Sequence, residues 1–165
     1  MEQGTASGWK YAVSGRHEDF SLHDCRVTGI SLKNSTLTLE TAGGFLICPG
    51  AESNPDPDHA LITGKACIVI ELFDEPFEYS SVYIYKPSLL EKGADVRHSH
   101  TVAELMERVN SGKNELEIVT ELYGWQRLRF SGYLWQSRKP YSLETELELR
   151  CRGITYCWND ARIYG

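Results

Sequence analysis

The chain has 165 residues, a hydrophobic content of 41% and a formal net charge of −6 at pH 7. Its 17 basic residues are outnumbered by 23 acidic ones, which argues against nucleic acid as a partner because phosphate binding relies on Lys and Arg. No apolar run approaches the ~20 residues of a membrane-spanning helix, so we expect no membrane partner either.

The first part of the chain predicts four short strands, because apolar and polar residues alternate as they do when successive side chains point to opposite faces of a sheet. These strands cover residues 9–13, 25–33, 36–41 and 45–48. The alternation changes phase at Gly29, passing from Cys25 and Val27 to Ile30 and Leu32. A β-bulge at this glycine is the expected cause.

The middle of the chain combines a long loop with two further predicted strands. Residues 49–64 hold three of the six prolines and several acids, which predicts the main loop. Residues 65–73 are apolar on both faces, as in a central strand, and residues 77–85 form a strand with one aromatic face. The aromatic residues of that face are Phe77, Tyr79, Tyr83 and Tyr85. Residues 86–100 show no regular pattern and are expected to be irregular.

One α-helix is predicted at about residues 102–111. Its apolar residues recur at the spacing of one helical face; they are Val102, Leu105, Met106 and Val109. Thr101 and Glu104 form the T-x-x-E pattern of a capping box, which satisfies free backbone N–H groups at a helix start. Gly112 is a suitable stop.

The last part of the chain predicts a strand at residues 115–123, a hairpin of residues 125–135 and 141–151, and a final strand near 154–158. In the hairpin, Leu128, Phe130 and Leu134 alternate with polar or aromatic residues, and the second strand alternates leucines with glutamates. We therefore expect a mainly β fold, an antiparallel sandwich or partly open barrel of about nine strands with one helix. The helix covers an end or a face, or crosses the concave side of one bent sheet.

The length fits one domain over residues 1–165, and the first ten residues lack the apolar segment of a secretory signal. The cysteines are odd in number, scattered and mostly set in apolar runs, which favours small buried thiols in a reduced compartment. They are Cys25, Cys48, Cys67, Cys151 and Cys157. We expect a cytoplasmic protein without a bound metal or cofactor.

One short segment resembles a known group of proteins. Residues 20–27 read F-S-L-H-D-C-R-V, and the pattern F-x-x-H-D-x-x-[IV] resembles the opening of small bacterial β-rich proteins, some of them immunity proteins of toxin systems. The resemblance extends from Phe20 to about Phe45. It implies binding to a protein partner and carries no catalytic residues.

Within this segment, His23 and Asp24 could provide an imidazole and a carboxylate for acid–base chemistry or metal binding. That alternative, a metal-dependent enzyme, would require other histidines to converge on the pair; these are His59, His98 and His100. The structural alternative is that Asp24 closes a turn and His23 packs beside Phe20. The His-x-His pair at 98–100 is expected to lie in a solvated loop.

The hairpin offers the main candidate surface. Its residues opposite the leucine face are Trp125, Arg127, Arg129, Tyr133 and Trp135. Arginine interleaved with aromatic residues is typical of protein interfaces. The alternative is a ladder of exposed ion pairs with Glu146 and Glu148 that serves only the sheet.

The sequence contains no phosphate-binding glycine loop, G-x-S-x-G or H-E-x-x-H pattern. We therefore expect a non-catalytic binding module that engages a protein partner through the hairpin surface and the His23–Asp24 segment. The other alternative is a small-ligand-binding barrel in which Tyr79, Tyr83 and Tyr85 line a cavity.

Overall fold

The computed structural model describes residues 8–73 and 81–165, and these residues form antiparallel strands, one α-helix and one turn of 3-10 helix at His17–Asp19. The helix, α1, spans Val102–Asn110. The strands are β1 (Tyr11–Ser14), β2 (Phe20–Ser21), β3 (Cys25–Lys33), β4 (Thr36–Thr41), β5 (Leu46–Ile47), β6 (Leu61–Thr63), β7 (Ala66–Leu72), β8 (Ser81–Pro87), β9 (Asp95–His100), β10 (Asn114–Gly124), β11 (Arg127–Gln136), β12 (Ser142–Trp158) and β13 (Ala161–Ile163). The predicted fold class is confirmed.

Six strands close into a barrel in the order β10–β3–β4–β7–β12–β11, because β11 pairs with both β10 and β12. The 17-residue β12 is long enough to serve two parts of the sheet. Its first half pairs with β11 and β8, and its second half pairs with β7 and β1. The β8–β9 hairpin therefore extends from the barrel wall, with β9 at the edge of the nine-stranded sheet.

The register of the β11–β12 hairpin puts its apolar side chains together inside the barrel. Leu128 lies opposite Leu149, and Phe130 lies opposite Leu147. All four side chains are buried. The hairpin predicted from the alternation is thus confirmed, and so is the direction of its leucine face.

The bulge predicted at Gly29 is present, because the pairing of β3 with β4 shifts between Val27 and Gly29. Beside this bulge, the last residue of α1 forms hydrogen bonds to the backbone of β3. The amide side chain of Asn110 accepts a hydrogen bond from the Ile30 N–H and donates one to the Ile30 carbonyl, each at 2.8 Å. Asn110 therefore supplies the backbone of β3 with the two bonds that a neighbouring strand would make there.

The helix begins at the predicted residue and ends at Asn110, one residue before the predicted bound. The Thr101 hydroxyl accepts from the Glu104 N–H at 3.2 Å, and the Glu104 carboxylate accepts from the Thr101 N–H at 2.8 Å, which completes the capping box. Gly112 follows with a φ of 71°. Val102, Leu105 and Val109 are buried in the core that the barrel strands also line.

A second sheet has the order β13–β6–β5–β2. It includes Leu61–Thr63, so the prediction of one continuous loop over residues 49–64 is wrong at its end. A three-residue strand is too short to show an alternation in sequence. Phe20 and Phe45 of this region pack against Tyr156 and Trp158 of β12, with the ring centroids of Phe20 and Tyr156 4.2 Å apart.

Two other expectations are corrected. Residues 95–100, expected to be irregular, form β9, which lacks an apolar alternation because nearly all of it is exposed at the sheet edge. The predicted final strand near 154–158 is a continuation of β12, because a bulge between Cys151 and Gly153 carries the strand onward. Phe77 and Tyr79 lie outside the described residues.

Candidate functional site

The outer surface of the barrel brings together two sets of aromatic residues that are far apart in sequence. Since Val82 and Ile84 of β8 are buried, Tyr83 and Tyr85 face outward. β8 pairs with β12, which pairs with β11, so these tyrosines lie on the same side of the sheet as Tyr133. We call this surface, together with Trp125 in the turn at its end, the outer face; its strand members are Leu122, Arg127, Arg129, Tyr133, Trp135, Glu144, Glu146, Glu148, Arg150, Tyr83 and Tyr85. Tyr83 and Tyr85 consequently do not line the barrel interior.

At the centre of the outer face, Arg129 is held by carboxylates. Its guanidinium donates to Glu146, and its Nε lies 3.8 Å from the Glu148 carboxylate, an ion-pair distance too long for a hydrogen bond. Glu146 is almost completely buried, since Arg129 and its strand neighbours cover it. These contacts are the cross-strand ladder that the sequence left open as an alternative, and they also raise the pKa of Arg129.

Trp135 is also held in place. Its indole Nε1 donates to the Glu117 carboxylate at 2.6 Å, and the Arg26 guanidinium lies 4.7 Å from the centre of the indole ring. Arg26 is itself 3.2 Å from Glu117. Tyr133 meets Trp135 edge to face at 6.5 Å. This end of the outer face is therefore rigid, with Tyr133 as its accessible ring.

Trp125 stands apart from these contacts. It lies in the turn between β10 and β11, ahead of the first residue of the strand, and 86% of its surface is exposed. Gln126 completes the turn with a φ of 57°. Beside it on β10, Leu122 is 56% exposed and lies opposite Arg129. Two large apolar side chains thus reach solvent at one end of the outer face.

A second bulge explains why Leu122 faces outward. The pairing of β10 with β11 shifts between Ile118 and Thr120, so Val119 is an extra residue. Before it, Leu116 and Ile118 point inward; after it, the inward positions belong to Glu121 and Tyr123. The bulge therefore turns Leu122 outward and Glu121 inward, as bulges re-aim side chains beside functional sites.

The exposed end of the outer face contains an open cleft of about 330 Å³. It is lined by Leu122, Tyr123, Gly124, Arg127, Leu128, Arg129, Glu148, Leu149 and Arg150. Arg127 lies directly opposite Arg150, an arrangement of like charges that costs stability across a strand pair. Arg150 also lies 5.2 Å from the ring centre of Phe73. A net positive charge is therefore concentrated here in an otherwise acidic chain.

His23 and Asp24 sit on a tight turn rather than on a strand. The Cys25 N–H donates to the Leu22 carbonyl at 2.9 Å, and Asp24 adopts a φ of 63°. The Nδ1–H of His23 donates to the carbonyl of Val119, the bulge residue, at 2.7 Å. This bond and the Asp24 carboxylate, 3.6 Å from Nε2, raise the pKa of His23. The turn allows both side chains to lie on one side, which a straight strand would prevent.

Sequence reasoning missed the inward glutamate of β10. Both oxygens of the Glu121 carboxylate accept from the Leu22 N–H at 3.1 Å, and the Tyr123 hydroxyl donates to it at 3.2 Å. The Tyr123 and Tyr156 hydroxyls are 2.7 Å apart. Burial raises the pKa of Glu121. The alternation of residues 115–123 gave no sign of this, since it assigns Leu122 rather than Glu121 to the interior.

Two of the other histidines are engaged locally. His59 lies 3.1 Å from the Asp56 carboxylate in the loop before β6, and His100 Nδ1 lies 3.2 Å from Glu104. His98 and His100 share one face of β9, so the expected solvated loop is replaced by an edge strand. Across residues 8–73 and 81–165, no three His, Cys, Asp or Glu side chains are grouped so that they could hold a metal ion.

No protein-family model, curated protein or solved structure matches this chain. Within the described segments, no helix is long and apolar enough to cross a membrane. The five cysteines are all free thiols.

Proposed function

We propose that this chain is a non-catalytic binding module that engages a protein partner through the outer face. The observation that carries the proposal is the exposure of Trp125 and Leu122 beside the arginine-lined cleft. Trp and Arg are the residues most enriched among those that dominate binding energy at protein interfaces. The Val119 bulge adds weight, because it places Leu122 outside where an uninterrupted strand would bury it.

The chemistry of the surface favours a partner with a complementary surface. An apolar side chain of the partner would pack against Trp125 and Leu122, and carboxylates beside it would face Arg127. Arg129 and Trp135 would give this contact a rigid base, because Glu146 and Glu117 already hold them. The partner surface is therefore apolar with an acidic rim.

The module is of the bacterial immunity type and acts in the cytoplasm. The first part of this proposal is supported by the F-x-x-H-D-x-x-V segment at residues 20–27. The hydrogen bond from His23 to Val119 connects the turn of this segment to the bulge that exposes Leu122. The second part is supported by the five free thiols, which persist in reducing compartments.

A second candidate is the binding of a small anionic ligand in the cleft. Its volume of about 330 Å³ falls near the lower end of the ~300–1,000 Å³ typical of ligand pockets. Arg127 and Leu122 would then contact the ligand from two sides. This candidate replaces the interior pocket lined by Tyr79, Tyr83 and Tyr85 that the sequence suggested.

The test begins with a photo-reactive phenylalanine analogue at position 125, introduced into the chain in its host cells. A protein captured from position 125, and not from position 141, is purified and titrated calorimetrically. Tyr141 provides the matched control because it is an exposed aromatic residue, 56% accessible, in the loop between β11 and β12.

We expect W125A to weaken binding of the captured protein by tenfold or more, on the order expected for a hot-spot aromatic residue, and Y141A to leave it unchanged. Equal affinities for the wild type, W125A and L122S would reject the outer face as the binding surface. If the captured protein is a toxin encoded beside this chain, the immunity role is supported. A partner of another class rejects the immunity role and leaves the proposal of a protein-binding module supported.

A further inference from the structure

The strand β9 has an edge that no other described strand pairs with. Within the described residues, β9 pairs with β8 alone and ends the nine-stranded sheet. Every residue of it except His100 is exposed. An edge strand of this kind offers a row of backbone donors and acceptors to any chain that can lie beside it.

Charged side chains on an edge strand commonly protect it, because they disfavour the approach of another strand. The charges of β9 have a different effect, because Asp95 and Arg97 flank Val96 symmetrically. When the strand is turned antiparallel to a copy of itself about Val96, Asp95 comes opposite Arg97 of the second copy, and Arg97 comes opposite its Asp95. Opposite charges across a strand pair stabilise the pairing.

We propose that β9 is a self-association edge, through which two copies of this chain pair antiparallel about a two-fold axis at Val96. The occupant is a second copy because the charge pattern is complementary to itself, as the contact of a two-fold dimer requires. The proposal goes beyond the binding function and uses a different part of the molecule from Trp125 and Leu122.

The two faces of β9 divide the contact into polar and apolar parts. Asp95 and Arg97 lie on the side of Tyr85, where the Arg97 guanidinium already rests 4.4 Å from the ring centre of Tyr83. Val96 lies on the opposite side and is 45% exposed. In the paired state, the two Val96 side chains meet at the axis and shield each other from water.

The tip of the β8–β9 hairpin enlarges this contact. Leu89 and Leu90 lie there and are fully exposed. In an antiparallel pair, the tip of each hairpin points toward the end of β9 and the start of α1 in the other copy. The leucines therefore add area to a contact that a six-residue strand alone would leave small, since stable interfaces bury roughly 1,200 Å² or more.

Sedimentation equilibrium over a wide concentration range tests the proposal with the full chain. We expect the average mass to rise from 18.7 kDa toward twice that value. The single reversals D95R and R97D each place like charges opposite each other twice, and should raise the dimer dissociation constant by about tenfold or more. The double variant D95R/R97D restores opposite charges in reversed order and should return the constant to near the wild-type value.

The control is D58R, a charge reversal on an exposed loop residue, which should self-associate like the wild type. Circular dichroism of each variant establishes that it is folded. A wild-type mass that stays at the monomer value at every concentration would overturn the proposal. So would single and double variants that all dimerise alike, because the contact would then not depend on the pairing of residues 95 and 97.

Discussion

The backbone N–H of Leu22 donates to both oxygens of the Glu121 carboxylate, at 3.1 Å each. This bond joins the turn of residues 20–27 to the part of β10 that follows the Val119 bulge. The bond from His23 to the Val119 carbonyl lies beside it. The segment of residues 20–27 therefore acts as a brace that fixes the phase of β10, and with it the outward position of Leu122.

The titration of Glu121 should make stability depend on pH in a defined direction. Burial raises its pKa above the ordinary value of 4.5, and the hydrogen bonds from Leu22 and Tyr123 oppose this shift without cancelling it. The folded state then holds the proton more tightly than the unfolded chain. The contribution of Glu121 to the free energy of unfolding is complete below pH 4.5 and is lost as the pH rises through the raised pKa.

E121Q removes this titration. The difference in the free energy of unfolding between wild type and E121Q, measured by urea denaturation from pH 4 upward, should decrease with pH and then level off. E107Q, the same substitution on the exposed side of α1, is measured in parallel as the control. A wild-type minus E121Q difference that is constant with pH would contradict the assignment of Glu121 as a buried, proton-binding carboxylate.

The turn at residue 24 should tolerate only certain side chains. Asp24 has a φ of 63°, in the left-handed region that Asp, Asn and Gly accept and β-branched residues avoid. We expect D24V to lower the free energy of unfolding by about 1–2 kcal/mol and D24N to leave it nearly unchanged. Urea denaturation of both variants measures this. A D24N variant as unstable as D24V would show that the carboxylate, rather than the backbone conformation, matters.

The barrel wall was predictable from the sequence where apolar residues alternate cleanly. The alternation through Leu128 and Leu134 predicts the hairpin, and the glycine at the phase change predicts the bulge at Gly29. The bulge at Val119 had no such marker, because Val119 and Leu122 are both apolar and no glycine interrupts the run. Its position depends on contacts with His23, nearly a hundred residues earlier in the chain.

The candidate surface was predictable in part. The outward direction of Arg129 and Trp135 follows from alternation alone, whereas their partners on other strands depend on the register of the closed barrel. Trp125 was expected on the strand and lies in the turn before it. β9 escaped prediction because an exposed edge strand needs no apolar pattern.

The close approach of β10 and β11 at the bulge should make Gly132 irreplaceable. A Cβ at this position would overlap the Glu117 carbonyl oxygen and lie within 3.1 Å of the Val119 nitrogen, so the backbone would have to move. We expect G132A to lower the free energy of unfolding by about 1–3 kcal/mol. G124A on the same hairpin is the control, because its Cβ would meet nothing closer than 3.9 Å. Equal stabilities in urea would refute the close approach.

The two tryptophans of the outer face should behave differently in solution. Trp125 is exposed, so iodide should quench its fluorescence readily, and W125F should remove most of the quenchable emission without changing the free energy of unfolding. Trp135 donates to Glu117 at 2.6 Å beneath the Arg26 guanidinium. W135F loses that donor and should cost about 1–3 kcal/mol, because the bond is made to a charged acceptor, while iodide quenching persists. If W135F instead removed the quenchable emission and W125F lowered the free energy of unfolding, the assignment of Trp125 as exposed and of Trp135 as bonded to Glu117 would be wrong.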